Sequence, residues 1–228
     1  KSRKLLQELI GNEFESSSFP FGSGKFLELN GVSIWFQRLS YVGELGWELY
    51  VPMNNTKNIY NIINETGASY QLAHAGAHAM DIMRMEKKYL HWGHDITPEE
   101  NPFEAGLGFA VSLEKDFDFI GKNALLELKK QQTDKKLVLL TLQESEPGKP
   151  LLLHDEPIYL DGEIIGETTS GNYSFNYRKN MSLGYIKTND NISELQNKHL
   201  EIEVAKKKYK ASIETQPLHD PKNISIKN

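Results

Sequence analysis

After residue 134 the chain consists of short segments in which apolar residues recur with a period of two, and this pattern constrains the fold more than any other feature. Before that point, segments whose apolar residues have helical spacing are mixed with strand-like runs. Beyond it, almost no segment has the helical spacing of apolar residues. Six short strands are predicted there, at residues 137–142, 157–160, 164–169, 181–186, 200–204 and 209–213. Such strands, separated by turn signals that include the tight turn Asp161-Gly162, favour a small antiparallel barrel.

A polar linker without apolar residues, residues 131–136, separates the two patterns. We therefore predict an α+β domain over residues 1–134 and a β-barrel domain over residues 135–228. In the first domain, helices are predicted at residues 2–10, 55–65 (with Asn54 as the N-cap), 75–89 and 122–130. Strands are predicted there at residues 26–30, 32–42, 47–51 and 109–113, the first two joined by the hairpin turn Asn30-Gly31.

Composition excludes several classes of function. The absence of cysteine excludes thiol nucleophiles, cysteine-ligated zinc, iron–sulfur clusters and disulfides. No apolar run reaches about 18 residues, which argues against a membrane protein, and the net charge of −5 argues against a general nucleic-acid binder. The basic run at residues 206–210 is interpreted as a solvated strand edge.

Because the chain starts at Lys1 and without Met, we expect a fragment or a processed chain.

A predicted hairpin carries the best candidate for a binding site. Two strand-like runs, residues 32–42 and 47–51, flank a connection that begins and ends with glycine. If Val42 and Trp47 close the turn, Tyr41 and Glu48 face each other on one side of the sheet. An aromatic ring beside a carboxylate suits a flat heterocycle with an amidine-like edge. The alternative is an ordinary hairpin with a solvated tyrosine and glutamate.

Histidines supply weaker candidates for a metal site. His74 and His78 have the spacing of one helix face, but the metalloprotease pattern around them is incomplete. His91, His94 and Asp95 lie in a loop rich in Trp and Pro, where a hydrogen-bonded structural loop is the favoured interpretation. We therefore predict no metal site. The sequence also lacks a dinucleotide fingerprint and a Gly-x-Ser-x-Gly elbow.

A series of motifs runs in order along nearly the whole chain, at residues 41–48, 79–87, 92–96, 101–107, 119–122, 165–171 and 183–185. Together these motifs resemble the folate-binding aminomethyltransferase (glycine-cleavage T-protein) family. Within it, the chain is most similar to the C-terminal half of dimethylglycine and sarcosine dehydrogenases and oxidases. The resemblance implies part of a folate-binding domain followed by a β-barrel, in agreement with the periodicity.

The resemblance also implies a function. The folate-binding part of such oxidoreductases passes a one-carbon unit from a small N-methyl amine to tetrahydrofolate, giving 5,10-methylenetetrahydrofolate. The family's pterin contacts fall on Tyr41, which would border the ring, and on Glu48, which would hold the 2-amino and N3–H edge. FAD is expected only in a missing upstream domain. The expected location is the cytoplasm or the mitochondrial matrix.

Two departures from the family refine this expectation. Met80 stands where glycine-cleavage enzymes often have arginine, which favours the demethylating branch. The family's catalytic aspartate belongs to an earlier segment, in the missing N-terminal half of the same protein, so no catalytic residue is assigned in this chain. A glycine-cleavage aminomethyltransferase and a non-catalytic folate-binding or regulatory subunit remain as alternatives.

Overall fold

The structure, a computed structural model, describes residues 1–131 and 133–227. Gln132 of the predicted linker and Asn228 at the end of the predicted barrel domain lie outside the described residues. The chain forms two compact units. The first contains Lys1–Lys87 together with the C-terminal segment from His219 onwards, and the second contains Lys88–Leu218.

The first unit combines helices with a three-stranded antiparallel sheet in the order β1-β2-β3. Its regular elements are α1 (Ser2–Ile10), β1 (Gly24–Leu29), β2 (Val32–Gln37), β3 (Glu48–Tyr50), α2 (Thr56–Gly67) and α3 (Ala77–Glu86). Short 3₁₀ turns occur at Asn12–Phe14, Met53–Asn55 and Ala68–Tyr70. Asn30 and Gly31 have φ angles of 52° and 72°, which confirms the predicted hairpin turn between β1 and β2.

The core of the first unit lies between the sheet and helices α1 and α2. Its fully buried side chains include Phe14, Phe19, Ile34, Phe36 and Ile59. Alternate residues of β2 point into this core, because successive side chains of a strand lie on opposite faces.

The second unit contains helix α4 and a closed six-stranded barrel in the order β4-β7-β6-β5-β8-β9. Its elements are α4 (Lys122–Lys130), β4 (Lys135–Leu142), β5 (Pro157–Leu160), β6 (Glu163–Ser174), β7 (Lys179–Lys187), β8 (Leu200–Val204) and β9 (Lys207–Glu214), with 3₁₀ turns at Gly108–Ala110 and Ile192–Asn197. The described strand pairs of the barrel are all antiparallel. The predicted small antiparallel barrel is therefore confirmed.

The last regular element is α5 (Ile224–Lys227), which belongs to the first unit. Asp220 precedes it and accepts hydrogen bonds from the backbone amides of Ile224 and Ser225, at 2.8 and 2.9 Å. Across the described residues, no helix has both the length and the apolar character required to cross a membrane.

Two local predictions about the elements are wrong. Residues 109–113 do not form a strand, because the amides of Ala110 and Val111 bond backward to Leu107 and Gly108 in a 3₁₀ turn. Asn54 is not the N-cap of α2 either. A 3₁₀ turn, Met53–Asn55, leads directly into that helix, and no side chain caps it.

Candidate functional site

The register between β2 and β3 differs from the predicted one. Glu48 pairs with Gln37 and Tyr50 pairs with Trp35, so residues 38–47 form a long connection outside the ladder. The predicted opposition of Tyr41 and Glu48 across a tight turn is therefore wrong.

A buried arginine follows directly after the last residue of β2. Arg38 is fully buried, and its backbone amide donates to the carbonyl of Ser23 at 2.9 Å. Its guanidinium donates to the carbonyl of Phe19 at 2.5 Å and to that of Lys227 at 2.8 Å. The side chain of Arg38 is thus fixed in the interior, one residue beyond the last residue of β2 that pairs with β3.

Glu48 stands exposed at the start of β3. The hydroxyl of Tyr50 donates a hydrogen bond of 2.7 Å to Oε2 of Glu48, and this bond, together with the negative charge of the carboxylate, raises the pKa of Tyr50. The structure thus places an aromatic residue beside the Glu48 carboxylate, but it is Tyr50 and not a residue across a turn. The i, i+2 spacing of Glu48 and Tyr50 within a strand was the sequence signal for this pair.

Tyr41 is half-buried and lies on the loop between β2 and β3. Two residues further on, Gly43 is buried with a φ of 77°, a conformation that favours glycine. A Cβ at Gly43 would overlap the side-chain stem of Lys87 and lie 3.2 Å from Cδ2 of His219. The hydroxyl of Ser2 donates to the carbonyl of Leu45 at 3.0 Å. The loop that carries Tyr41 is therefore held by close packing and by contacts from distant parts of the chain.

The side chain of Lys87 packs against this loop with its stem and reaches the C-terminal end of the chain with its ammonium group. Lys87 is buried, and its Nζ donates to the carbonyl of Asp220 at 2.7 Å and to Oδ1 of Asn223 at 2.8 Å. Burial lowers the pKa of Lys87, while the carboxylates of Asp220 and Glu44 act in the opposite direction. Oε1 of Glu44, on the loop, lies 2.8 Å from Nε2 of His219.

The histidines do not form the arrangements considered from the sequence. α3 begins at Ala77, so His74 lies before it and does not share a helix face with His78. Nε2 of His74 is instead 2.7 Å from the hydroxyl of Tyr60. Within the described ranges, no group of three or more potential ligands is placed to hold a metal ion.

In the second unit, Asp95 is fully buried and serves as a structural hydrogen-bond acceptor. Its Oδ1 accepts hydrogen bonds from the hydroxyls of Thr169 and Ser170, at 2.5 and 2.7 Å. Its Oδ2 accepts one from the backbone amide of His91 at 2.9 Å. The hydroxyl of Tyr185 donates to the Asp95 carbonyl at 2.8 Å, and burial raises the pKa of that hydroxyl. These hydrogen bonds connect the loop around Asp95 to strands β6 and β7.

A polar cleft of about 370 Å³ lies beside this loop. Glu100 and Lys135, which line it, form an ion pair of 2.7 Å, and Lys135 also lies 4.6 Å from the centre of the Tyr185 ring. The ion pair and the hydroxyl and amide of Thr97 lower the pKa of Glu100, although burial alone would raise it. The charges lining this part of the cleft thus neutralise each other.

Two family models account for most of the chain. The model described as the GCVT N-terminal domain matches residues 1–115, and the glycine cleavage T-protein C-terminal barrel domain matches residues 135–220. The chain belongs to the glycine cleavage T-protein family. The resemblance stated from the motifs is thereby confirmed.

Relatives in this family include enzymes of two kinds. Dimethylglycine dehydrogenase, mitochondrial, from Homo sapiens is 34% identical over 218 residues, which are 96% of this chain and 24% of that protein. An aminomethyltransferase from Symbiobacterium thermophilum is 36% identical over 187 residues, which are 82% of this chain and 49% of that protein. The chain thus spans about a quarter of the first relative and about half of the second.

A solved structure has the same fold. The glycine cleavage system aminomethyltransferase T from Bartonella henselae superposes with a TM-score of 0.80, over 96% of this chain and 57% of that chain. The sequence identity of 22% makes this a likeness of fold. Together with the T-protein barrel domain, it confirms the predicted fold class, an α+β domain followed by a β-barrel.

Proposed function

We propose that this chain is the tetrahydrofolate-binding part of a demethylating one-carbon enzyme that resembles dimethylglycine and sarcosine dehydrogenases. Its task is to bring tetrahydrofolate to a one-carbon unit released from a small N-methyl amine, so that 5,10-methylenetetrahydrofolate forms. Membership of the T-protein family and the identity to human dimethylglycine dehydrogenase support this class. The activity, the amine and the partners of the whole protein are part of the proposal, since the chain spans 24% of that relative.

The observation that carries the proposal is the exposed carboxylate of Glu48 next to a firmly held loop. A carboxylate is an acceptor with two oxygens, and it fits the two N–H donors at the 2-amino and N3–H edge of a pterin. Tyr41, on the loop, would border the ring and bury part of its surface. Tetrahydrofolate supplies the nitrogen atoms that accept the one-carbon unit, and these two residues bind and orient it.

We assign the oxidation of the N-methyl amine and the family's catalytic aspartate to other parts of the whole protein. The sequence has no dinucleotide fingerprint for FAD. Asp95 and Asp220 are used as hydrogen-bond acceptors inside the fold, so neither is given a catalytic role. The proposed partner is therefore an N-terminal half of the same protein, and the proposed location is the mitochondrial matrix or the cytoplasm.

A glycine-cleavage aminomethyltransferase is the second candidate, because the chain is 36% identical to such an enzyme over 187 residues. Met80 argues for the demethylating branch. It lies on α3 with 45% of its surface exposed, at the position where the family resemblance places arginine in many glycine-cleavage enzymes.

The deciding experiment uses the full-length protein that contains this chain. Formation of methylenetetrahydrofolate is measured with dimethylglycine or sarcosine, and separately with an aminomethylated lipoyl carrier protein. Turnover of the N-methyl amines supports the proposal, and turnover of the carrier alone supports the second candidate. Binding of tetrahydrofolate without any turnover would identify a non-catalytic folate-binding subunit. A full-length protein that binds no tetrahydrofolate would contradict all three.

A further inference from the structure

The C-terminal segment, defined here as residues 219–227, returns to the first unit after the barrel is complete. The T-protein barrel model ends at residue 220, and the N-terminal model ends at residue 115. Most of this segment therefore lies outside both family models. It still buries Ile226, which is 2% exposed, and forms the helix α5.

The segment is attached next to the end of α3. The backbone amide of His219 donates to the carbonyl of Glu86 at 2.9 Å. Lys87 then donates from its Nζ to the carbonyl of Asp220 and to Oδ1 of Asn223, at 2.7 and 2.8 Å. Since hydrogen bonds from a charged donor are stronger than neutral ones, Lys87 is a major attachment point for the segment.

The same two residues, Lys87 and His219, also contact the loop that carries Tyr41. The stem of Lys87 packs so closely against Gly43 that a Cβ there would overlap it. Nε2 of His219 lies 2.8 Å from Oε1 of Glu44. Lys87 is thus placed between the loop on one side and the C-terminal segment on the other.

We propose that the C-terminal segment, held by Lys87, positions the loop of residues 41–47 and thereby sets the affinity of the site at Tyr41 and Glu48. Lys87 and His219 act as positioning residues, since their contacts are with the loop. The ordering of the loop follows from the contacts alone, whereas the effect on affinity rests on the proposed function. A loop held in place before binding loses less conformational freedom when the ligand arrives.

The first test measures amide hydrogen exchange in the full-length protein. Lys87→Met keeps the apolar stem beneath Gly43 and removes the ammonium group. We expect exchange in residues 41–47 to become about tenfold faster, the change that corresponds to losing hydrogen bonds from one charged group. Lys222→Met removes an exposed lysine of the same segment and should leave this exchange unchanged.

Amide exchange in α2, which lies in the same unit, serves as the internal reference. Faster exchange in the loop but not in α2 supports the proposal. Unchanged exchange in the loop, or an equal increase in α2, overturns it. If Lys87→Met does not fold, Asn223→Gly decides the question by the same comparison. It removes the side-chain acceptor of the lysine, and glycine tolerates the φ of 57° at that position.

The second test measures affinity for tetrahydrofolate by calorimetry. We expect Lys87→Met to weaken binding about fivefold to tenfold, and Lys222→Met to leave it unchanged. Combined with Tyr41→Ala, the loss should be smaller than the product of the two single effects, because Lys87 acts through the loop that carries Tyr41. Independent effects would overturn the link to the site. If the wild-type protein binds no tetrahydrofolate, the proposed function fails, and hydrogen exchange alone decides whether the segment orders the loop.

Discussion

The hydroxyl of Tyr50 donates a hydrogen bond of 2.7 Å to the carboxylate of Glu48, two residues earlier on β3. Residues with this spacing lie on the same face of a strand, so the phenol and the carboxylate stand side by side. Both residues are exposed. The pKa of Tyr50 therefore reports on the carboxylate that is proposed to hold the pterin.

The pKa of Tyr50 should fall toward its ordinary value in Glu48→Gln. The hydrogen bond to the carboxylate and its negative charge both favour the neutral phenol and raise that pKa, and the substitution removes the charge. An NMR titration with ring-labelled tyrosine measures the change. Glu28→Gln, which removes another exposed carboxylate of the same sheet, should leave the Tyr50 titration unchanged. A Tyr50 pKa that does not move in Glu48→Gln would show that the two side chains are not paired in solution.

Glu48→Gln should also weaken tetrahydrofolate binding. An amide presents one donor to an edge that offers two donors, so a charge-assisted bond is lost and a repulsive contact is created. The expected cost is about 1.5–3 kcal/mol in binding free energy. Calorimetry on full-length protein measures it, with Glu28→Gln as the matched control. Equal affinity in wild type and Glu48→Gln would remove Glu48 from the site.

Tyr41→Ala should weaken tetrahydrofolate binding through lost packing on the heterocycle. The expected loss is about 0.5–1.5 kcal/mol beyond the effect of the lost contact area. Tyr41→Phe keeps the ring and should have a much smaller effect in the same calorimetric titration. If Phe proves as damaging as Ala, the tyrosine acts through its hydroxyl and the packing explanation is wrong.

Gly43→Ala should destabilise the first unit, whereas Gly46→Ala in the same loop should be tolerated. Gly43 has a φ of 77°, and a Cβ would overlap the stem of Lys87. The nearest atom to a Cβ at Gly46 would be the carbonyl oxygen of Leu39, at an ordinary contact distance of 3.8 Å. We expect Gly43→Ala to lower the free energy of unfolding by about 1–3 kcal/mol. Urea unfolding followed by circular dichroism compares the two variants, and equal stabilities would contradict the close packing.

Asp95→Asn should destabilise the second unit. Asp95 accepts two hydroxyl hydrogen bonds at one oxygen and a backbone hydrogen bond at the other. An asparagine keeps only one of these oxygens, so the negative charge and at least one of the hydrogen bonds accepted by the carboxylate are lost in a buried position. The expected cost is about 1–3 kcal/mol in the free energy of unfolding, measured by urea denaturation. Asp116→Asn, at an exposed aspartate of the same unit, is the control, and equal effects of the two substitutions would rule out the structural role of Asp95.

Much of the fold could be predicted from local sequence signals. The period of two after residue 134 and the turns at Asn30-Gly31 and Asp161-Gly162 led to the barrel and to the first hairpin. Both turns show the positive φ angles that these residues adopt readily. Such signals succeed because each depends on a few neighbouring residues and on the face that they bury.

The candidate site was predictable only in part. The motifs indicated the family, and they indicated Tyr41 and Glu48 as pterin contacts, which remains a prediction. The strand register that first paired these two residues was wrong, and Tyr50 was missed. The pattern of apolar residues and glycines in the sequence is compatible with more than one register, and the register of β2 and β3 is known only from the tertiary structure.

The sequence by itself determined the family, the barrel and the type of most elements, because periodicity, turn residues and motif order are local properties. Only the tertiary structure decided where β2 ends and what holds the loop around Gly43. Arg38, just after the strand, donates to the carbonyls of Phe19 and Lys227, and Lys87 donates to Asp220 and Asn223. Lys227, Asp220 and Asn223 are far from Arg38 and Lys87 in sequence, and they reach them only because the C-terminal segment returns to the first unit. A buried charged group takes the acceptors that the fold brings to it, and no local pattern specifies them.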